Sequence, residues 1–94
     1  MYNERVNKRY DDELLDFLCK IDDKFTMSEI LSNILTPQER AELAIRLQIF
    51  KKLMDGDNQR SIAKSLGVSI ATVTRGSREL KYGKPGIKKT LQDD

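Results

Sequence analysis

Apolar residues recur along the chain at helical spacing, in bursts separated by polar or turn-forming stretches. Leu14, Leu15, Phe17, Leu18 and Ile21 share one helical period, which predicts a helix from about Asp11 to Ile21. Asp11, Asp12 and Glu13 near its start complement the helix dipole. Residues 1–10 are polar and mixed in charge, and are expected to be frayed or extended. After a connection at Asp22–Phe25, Thr26-x-x-Glu29 reads as a capping box opening a second helix with Met27, Ile30, Leu31 and Ile34 as its apolar residues. Thr36-Pro37-Gln38-Glu39 is a stronger start: an N-cap Thr, Pro at the first helical position and Glu at the third. The helix it opens is the longest, to about Met54. Its apolar residues, Leu43, Ile45, Leu47, Ile49, Phe50, Leu53 and Met54, spread over more than one face. A helix of that kind is buried on several sides. One small subunit cannot easily surround it, so it is expected to be shared with a second chain. Gly56 is its stop.

Gln59 to Arg78 then reads as a helix-turn-helix. Asn58 can cap a helix from Gln59 to about Leu66, and Gly67 supplies the left-handed residue that ends it. Ser69 caps a second helix, from Ile70 to about Leu80. Ile62, Ala63 and Leu66 line one side of the first helix, and Val68, Ile70 and Val73 are expected on the apolar side of the turn and second helix. Two short helices joined by a glycine turn make the unit that places its second helix in the DNA major groove. Lys81-Tyr82-Gly83-Lys84-Pro85-Gly86 is a break, after which Ile87–Leu91 can form a short last helix. The fold class is therefore all-α, with five to six helices. It reads as a single domain: dimerisation helices over 11–57, the helix-turn-helix over 58–82 and a short C-terminal segment over 83–94.

Charge sharpens the picture. The net charge is only +2, yet residues 58–91 carry Arg60, Lys64, Arg75, Arg78, Lys81, Lys84, Lys88 and Lys89 against one acid, Glu79. Residues 1–57 carry nine bases against twelve acids. The positive part coincides with the helix-turn-helix, the electrostatic footprint of a phosphate-binding face. Other classes recede. No His is present, which removes the commonest general base and metal ligand. The single Cys19, set among Leu15, Phe17, Leu18 and Ile21, reads as a small hydrophobe. No nucleophile–base pair or metal-ligand cluster stands out, so neither an enzyme nor a metal site is expected. No apolar run approaches the ~20 residues of a membrane span, and the N-terminus lacks a signal-peptide apolar region. A cytoplasmic protein is expected.

Two stretches together resemble the tryptophan repressor family. One is Leu35-Thr36-Pro37-x-Glu39-Arg40 with Leu43 and Arg46. The other is Gly67-Val68-Ser69-Ile70-Ala71-Thr72-Val73-Thr74-Arg75-Gly76-Ser77, ending in Leu80-Lys81. The segment IATVTRGS is highly specific, because a generic helix-turn-helix wants an apolar residue where Gly76 stands. The resemblance covers roughly residues 30–82. It implies an intertwined all-helical homodimer that binds L-tryptophan as corepressor and then double-stranded operator DNA, shutting off genes of tryptophan supply.

By position, the resemblance implies that Arg46 and Arg75 sandwich the indole and that Arg75 also binds the carboxylate. Thr36 of the other subunit hydrogen-bonds the same carboxylate, and backbone carbonyls near Leu35 take the ammonium. Gly76 leaves room for the ligand. Phe50 stands beside this pocket where a smaller aliphatic residue is usual. Glu79 replaces a small polar residue near the ligand amine, where a carboxylate either holds the ammonium or repels the carboxylate. Guanidinium suits both tasks given to Arg75, stacking on an aromatic face and forking onto a carboxylate. For DNA, the resemblance implies that Ile70, Ala71 and Thr72 face base edges, that Arg60 reaches a guanine, and that Gln59, Thr74 and Lys81 hold phosphates. Lys64, Ser69, Arg75 and Arg78 complete the DNA-facing set. Two rivals stand beside this reading: a DNA-binding dimer of the same fold that tryptophan does not gate, and a helical module whose basic face meets an acidic protein.

Overall fold

The computed structural model describes residues 4–92, which form six α-helices and no strand. These are α1 (Glu4–Cys19), α2 (Lys24–Ile34), α3 (Pro37–Met54), α4 (Gln59–Leu66), α5 (Ile70–Tyr82) and α6 (Gly86–Gln92). The chain divides into two compact units, Met1–Pro37 and Gln38–Asp94.

The N-terminal unit departs from the sequence reading in three ways. The stretch expected to be frayed is helical from Glu4 onward; Met1–Asn3 lie outside the described residues. Glu, Arg and Lys are good helix formers, and neither Gly nor Pro interrupts residues 4–19, so propensity carries the helix where periodicity is silent. Asp11, Asp12 and Glu13 are consequently mid-helix and not at a dipole terminus. The helix also closes earlier, at Cys19. Lys20 and Ile21 donate to the carbonyls of Phe17 and Leu18 at 3.2 and 3.1 Å, tightening the last turn. Cys19 is exposed rather than packed. Finally, α2 is capped by Asp23 and not by Thr26. The Asp23 carboxylate accepts from the Thr26 N–H at 2.8 Å. A carboxylate is the better acceptor at a site where the dipole also favours negative charge. That bond, with a second to the Thr26 side chain, holds the Asp23 carboxyl below its ordinary range.

In the C-terminal unit the local signals hold. The end of α3 is a Schellman motif: Asp57 N–H reaches the Lys52 carbonyl and Gly56 N–H the Leu53 carbonyl, both at 3.1 Å, with Gly56 at φ 89°. The Asn58 side chain accepts from Ser61 N–H at 2.8 Å and opens α4. Gly67, at φ 68°, closes it. Ser69 Oγ accepts from Thr72 N–H at 3.1 Å and opens α5. Ile49 of α3, Ile62 and Ala63 of α4 and Val73 of α5 make the buried core, with Ile45, Leu53, Leu66 and Val68 packed against it. Each large aliphatic buried there contributes about 1.5–3 kcal/mol. Ile70 does not join this core. It is 48% exposed, because as the first residue of α5 it lies on the side turned from α3 and α4.

Candidate functional site

The two helices α4 and α5, joined through Gly67 and Ser69, form the helix-turn-helix, and the first turn of its second helix faces outward. Ile70, Ala71 and Thr72 in the first turn of α5 are exposed, as are Arg60, Lys64, Ser69, Arg75, Arg78 and Lys81. The Ser69 and Thr72 hydroxyls lie 2.9 Å apart, so the cap also holds the Thr72 side chain. Gln59 and Thr74 are half-buried and joined to each other: the Thr74 hydroxyl donates to the Gln59 side-chain oxygen at 2.6 Å. This bond spans fifteen residues and ties the start of α4 to the middle of α5. With its oxygen accepting from Thr74, the Gln59 amide is left with its N–H groups as donors.

On the other side of α5, an open cleft of about 850 Å³ lies between α3 and α5. Ile45, Ile49, Phe50 and Val68 provide apolar walls. Arg46 and Glu42 come from α3, and Thr72, Arg75, Gly76 and Glu79 from α5. The volume is within the range of small-molecule sites. Five of the residues assigned to a ligand from sequence, Arg46, Phe50, Arg75, Gly76 and Glu79, are thus brought to one cavity. Gly76 has an additional cause. A Cβ there would stand 2.9 Å from Ile49 Cγ2 and 3.6 Å from Leu53 Cδ1, so its absence is what lets α5 lie this close to α3. Leu35 and Thr36 belong to the other compact unit. Leu35 is the C-cap of α2, its N–H bonded to the Leu31 carbonyl at 2.9 Å, and Thr36 is exposed just before α3.

A family model described as Trp repressor protein matches residues 10–94. The chain belongs to the Trp repressor family. It is 38% identical over 82 residues to a Trp operon repressor homolog of Vibrio atlanticus, spanning 86% of this chain and 84% of that one. To the homolog of Vibrio parahaemolyticus it is 49% identical over 64 residues, 67% of this chain and 62% of the relative. Among solved structures it is similar to a candidate Trp repressor from Staphylococcus aureus, with TM-score 0.86, 26% identity and coverage of 99% of this chain and 93% of that one. A TrpR-like protein from Eubacterium eligens shares the fold, with TM-score 0.87 over 97% and 94% of the two chains at 23% identity. Family members are DNA-binding regulators and not enzymes. Among the described residues, no helix is long and apolar enough to cross a membrane.

Against this family background, two features escape a reading of the sequence. Glu42 lines the cleft. Its one signal was its place one helical turn before Arg46, which marks a shared face but not what lies opposite. Thr72, assigned to base edges, also lines the cleft. With Arg75 it is common to the cavity and the outward face.

Proposed function

We propose that the protein is a homodimeric, sequence-specific DNA-binding repressor whose corepressor is L-tryptophan, acting on genes of tryptophan synthesis or uptake in the cytoplasm. The observation that carries this reading is the sharing of Thr72 and Arg75 between the cleft and the reading helix. A ligand seated there touches α3 and α5 at once. If the ligand binds more tightly when α5 is posed for DNA, it shifts the population toward that pose. Indole fits apolar walls flanked by the Arg46 and Arg75 guanidiniums, and Arg75 can fork onto the amino-acid carboxylate. Leu35 and Thr36 contribute from the other subunit. Two reading heads related by a two-fold axis would meet half-sites about 34 Å apart.

Dimerisation is supported by what the chain leaves uncovered. Leu14, Leu15 and Phe17 of α1, Ile34 of α2, and Leu43 and Leu47 of α3 are all exposed. A second copy can cover faces of this kind. On the DNA side, Arg60 reads a guanine, while Gln59 (held by Thr74), Lys81 and neighbouring bases meet phosphates.

Selection of bound duplexes from a random-sequence pool, with and without L-tryptophan, tests the reading. It should return a two-fold-symmetric site only when the amino acid is present. Arg75→Ala should abolish that dependence, and Arg60→Ala should lose sequence preference more than nonspecific affinity. The same site returned without tryptophan would favour the ungated alternative, for which Phe50 in the cleft wall is the specific observation. Strongly salt-dependent binding with no sequence preference would instead leave the basic face to an acidic partner.

A further inference from the structure

The positive charge does not stop where the helix-turn-helix ends. Residues 80–92 carry Lys81, Lys84, Lys88 and Lys89 and no acid. Only Lys81 belongs to α5; Lys84 lies in the short link after it, and Lys88 and Lys89 lie in α6. The last three are exposed, and among the described residues none of them is held in an ion pair. The acid before them, Glu79, rests its carboxylate over Gly83.

The local backbone holds these lysines in place. The Gly83 N–H bonds back to the Glu79 carbonyl at 2.8 Å and closes α5. Pro85 fixes its own backbone angle and turns Lys84 away from a helical one. The Pro85 carbonyl then accepts from the Lys89 N–H at 2.9 Å and opens α6. Ile87 and Leu91, four positions apart on one face of α6, are half-buried. At about 100° per residue, Lys89 stands on the opposite face and Lys88 on the flank. So α6 turns its apolar residues in and offers charge with little bare apolar area, which suits a polyanion better than a protein interface. It belongs to the same compact unit as α4 and α5. The link between Tyr82 and Gly86 keeps its start within about 14 Å of the end of α5. A duplex carries a charge for every ~1.7 Å of its axis, so a face extended by that much meets further phosphates.

We propose that Lys84, Lys88 and Lys89 form a second DNA contact, independent of sequence, that grips phosphates beyond those met by the helix-turn-helix. The proposal rests on the DNA-binding reading and extends it to the C-terminal segment. Full-length protein is titrated into a fluorescein-labelled, mixed-sequence duplex of about 40 base pairs at roughly 50 to 300 mM potassium chloride, and the logarithm of affinity is plotted against that of salt. The triple variant Lys84→Gln, Lys88→Gln, Lys89→Gln should flatten the slope by about 0.9 for each lysine that meets a phosphate, or about 2.7 per protomer for all three. A control variant, Lys8→Gln, Lys20→Gln, Lys24→Gln, removes the same charge from exposed positions of the N-terminal unit and should keep the wild-type slope. On the duplex recovered by selection, the C-terminal variant should bind more weakly but keep its preference over the mixed sequence, because phosphates carry no sequence information. Gln is a good helix former, and circular dichroism melts confirm that both variants fold. The proposal is overturned if the C-terminal variant keeps the wild-type slope, which leaves these lysines to another partner. It is equally overturned if both variants flatten the slope alike, which makes the effect one of net charge. If the wild type binds neither duplex at the lowest salt, the DNA-binding reading falls and this proposal with it.

Discussion

At Gly76 the reading helix passes so close to α3 that an added methyl group meets Ile49 Cγ2 at 2.9 Å. Ile49 is 2% exposed and β-branched, so that atom cannot swing aside. Gly76→Ala gains helix propensity of up to about 1 kcal/mol and loses about 1–3 kcal/mol to overpacking. The net outcome should be destabilisation, seen as a lower urea midpoint with an unchanged slope. An unchanged or raised midpoint would show that α5 can move off α3 freely. The residue roles that a sequence can show are those fixed by local chemistry or by a specific motif. IATVTRGS marked Arg75 and Gly76, and Glu79 follows in the same helix. Arg46, Phe50, Arg75, Gly76 and Glu79 do line one cleft. Glu42 was not legible as a cleft residue, because a polar position on a helix carries no signal until another helix lies opposite. The Gln59–Thr74 bond was hidden for the same reason: two residues fifteen apart become partners only when α4 and α5 pack.

At the scale of the element, the caps decide which boundaries can be read. Asn58, Gly67 and Ser69 act through bonds to residues within five positions, and all three behave as the sequence predicts. Asn58→Ala should therefore cost about 1 kcal/mol, measured as a shift in urea midpoint, and a cost near zero would mean water replaces the cap. The start of α2 misled because Asp23 and Thr26 are both good caps and only one can be used. A pH series separates them. Hydrogen bonds from Thr26 lower the Asp23 pKa in the folded chain below its ordinary 3.8. A lowered folded value means the unfolded state binds the proton more readily. The stabilisation is then full above about pH 3.8 and is lost as pH falls through the folded value. The stability gap between wild type and Asp23→Ala should be constant near neutrality and shrink below that pH. A gap that stays level down to acid pH would deny the carboxylate its capping role.

For the whole molecule, the question is what the N-terminal half folds against. Among the described residues, none before Ile49 is buried. The buried core belongs entirely to α3, α4 and α5. A helix of sixteen residues such as α1 is marginal in water on its own, and α1 carries Leu14, Leu15 and Phe17 all more than 40% exposed. α3 shows why the long helix reads as apolar on more than one face: Ile45, Ile49 and Leu53 serve the core, whereas Leu43 and Leu47 are left uncovered. If a second copy covers these surfaces, folding and association are one process, and stability depends on protein concentration. Thermal or urea unfolding followed by far-ultraviolet circular dichroism should then show a single transition for all the helix. Each tenfold rise in concentration should add about 1.4 kcal/mol per mole of dimer, moving the midpoint upward. Sedimentation at the same concentrations should give twice the mass of 10.8 kDa. A melt that ignores concentration, with a monomer mass, would mean that α1 and α2 hold without a partner, and the shared-helix dimer would have to be abandoned. Leu47→Glu gives the complementary test. It puts a charge on the uncovered face of α3, not among the buried core residues, so it should weaken association and lower the unfolding midpoint at a given protein concentration, with the slope of midpoint against concentration kept.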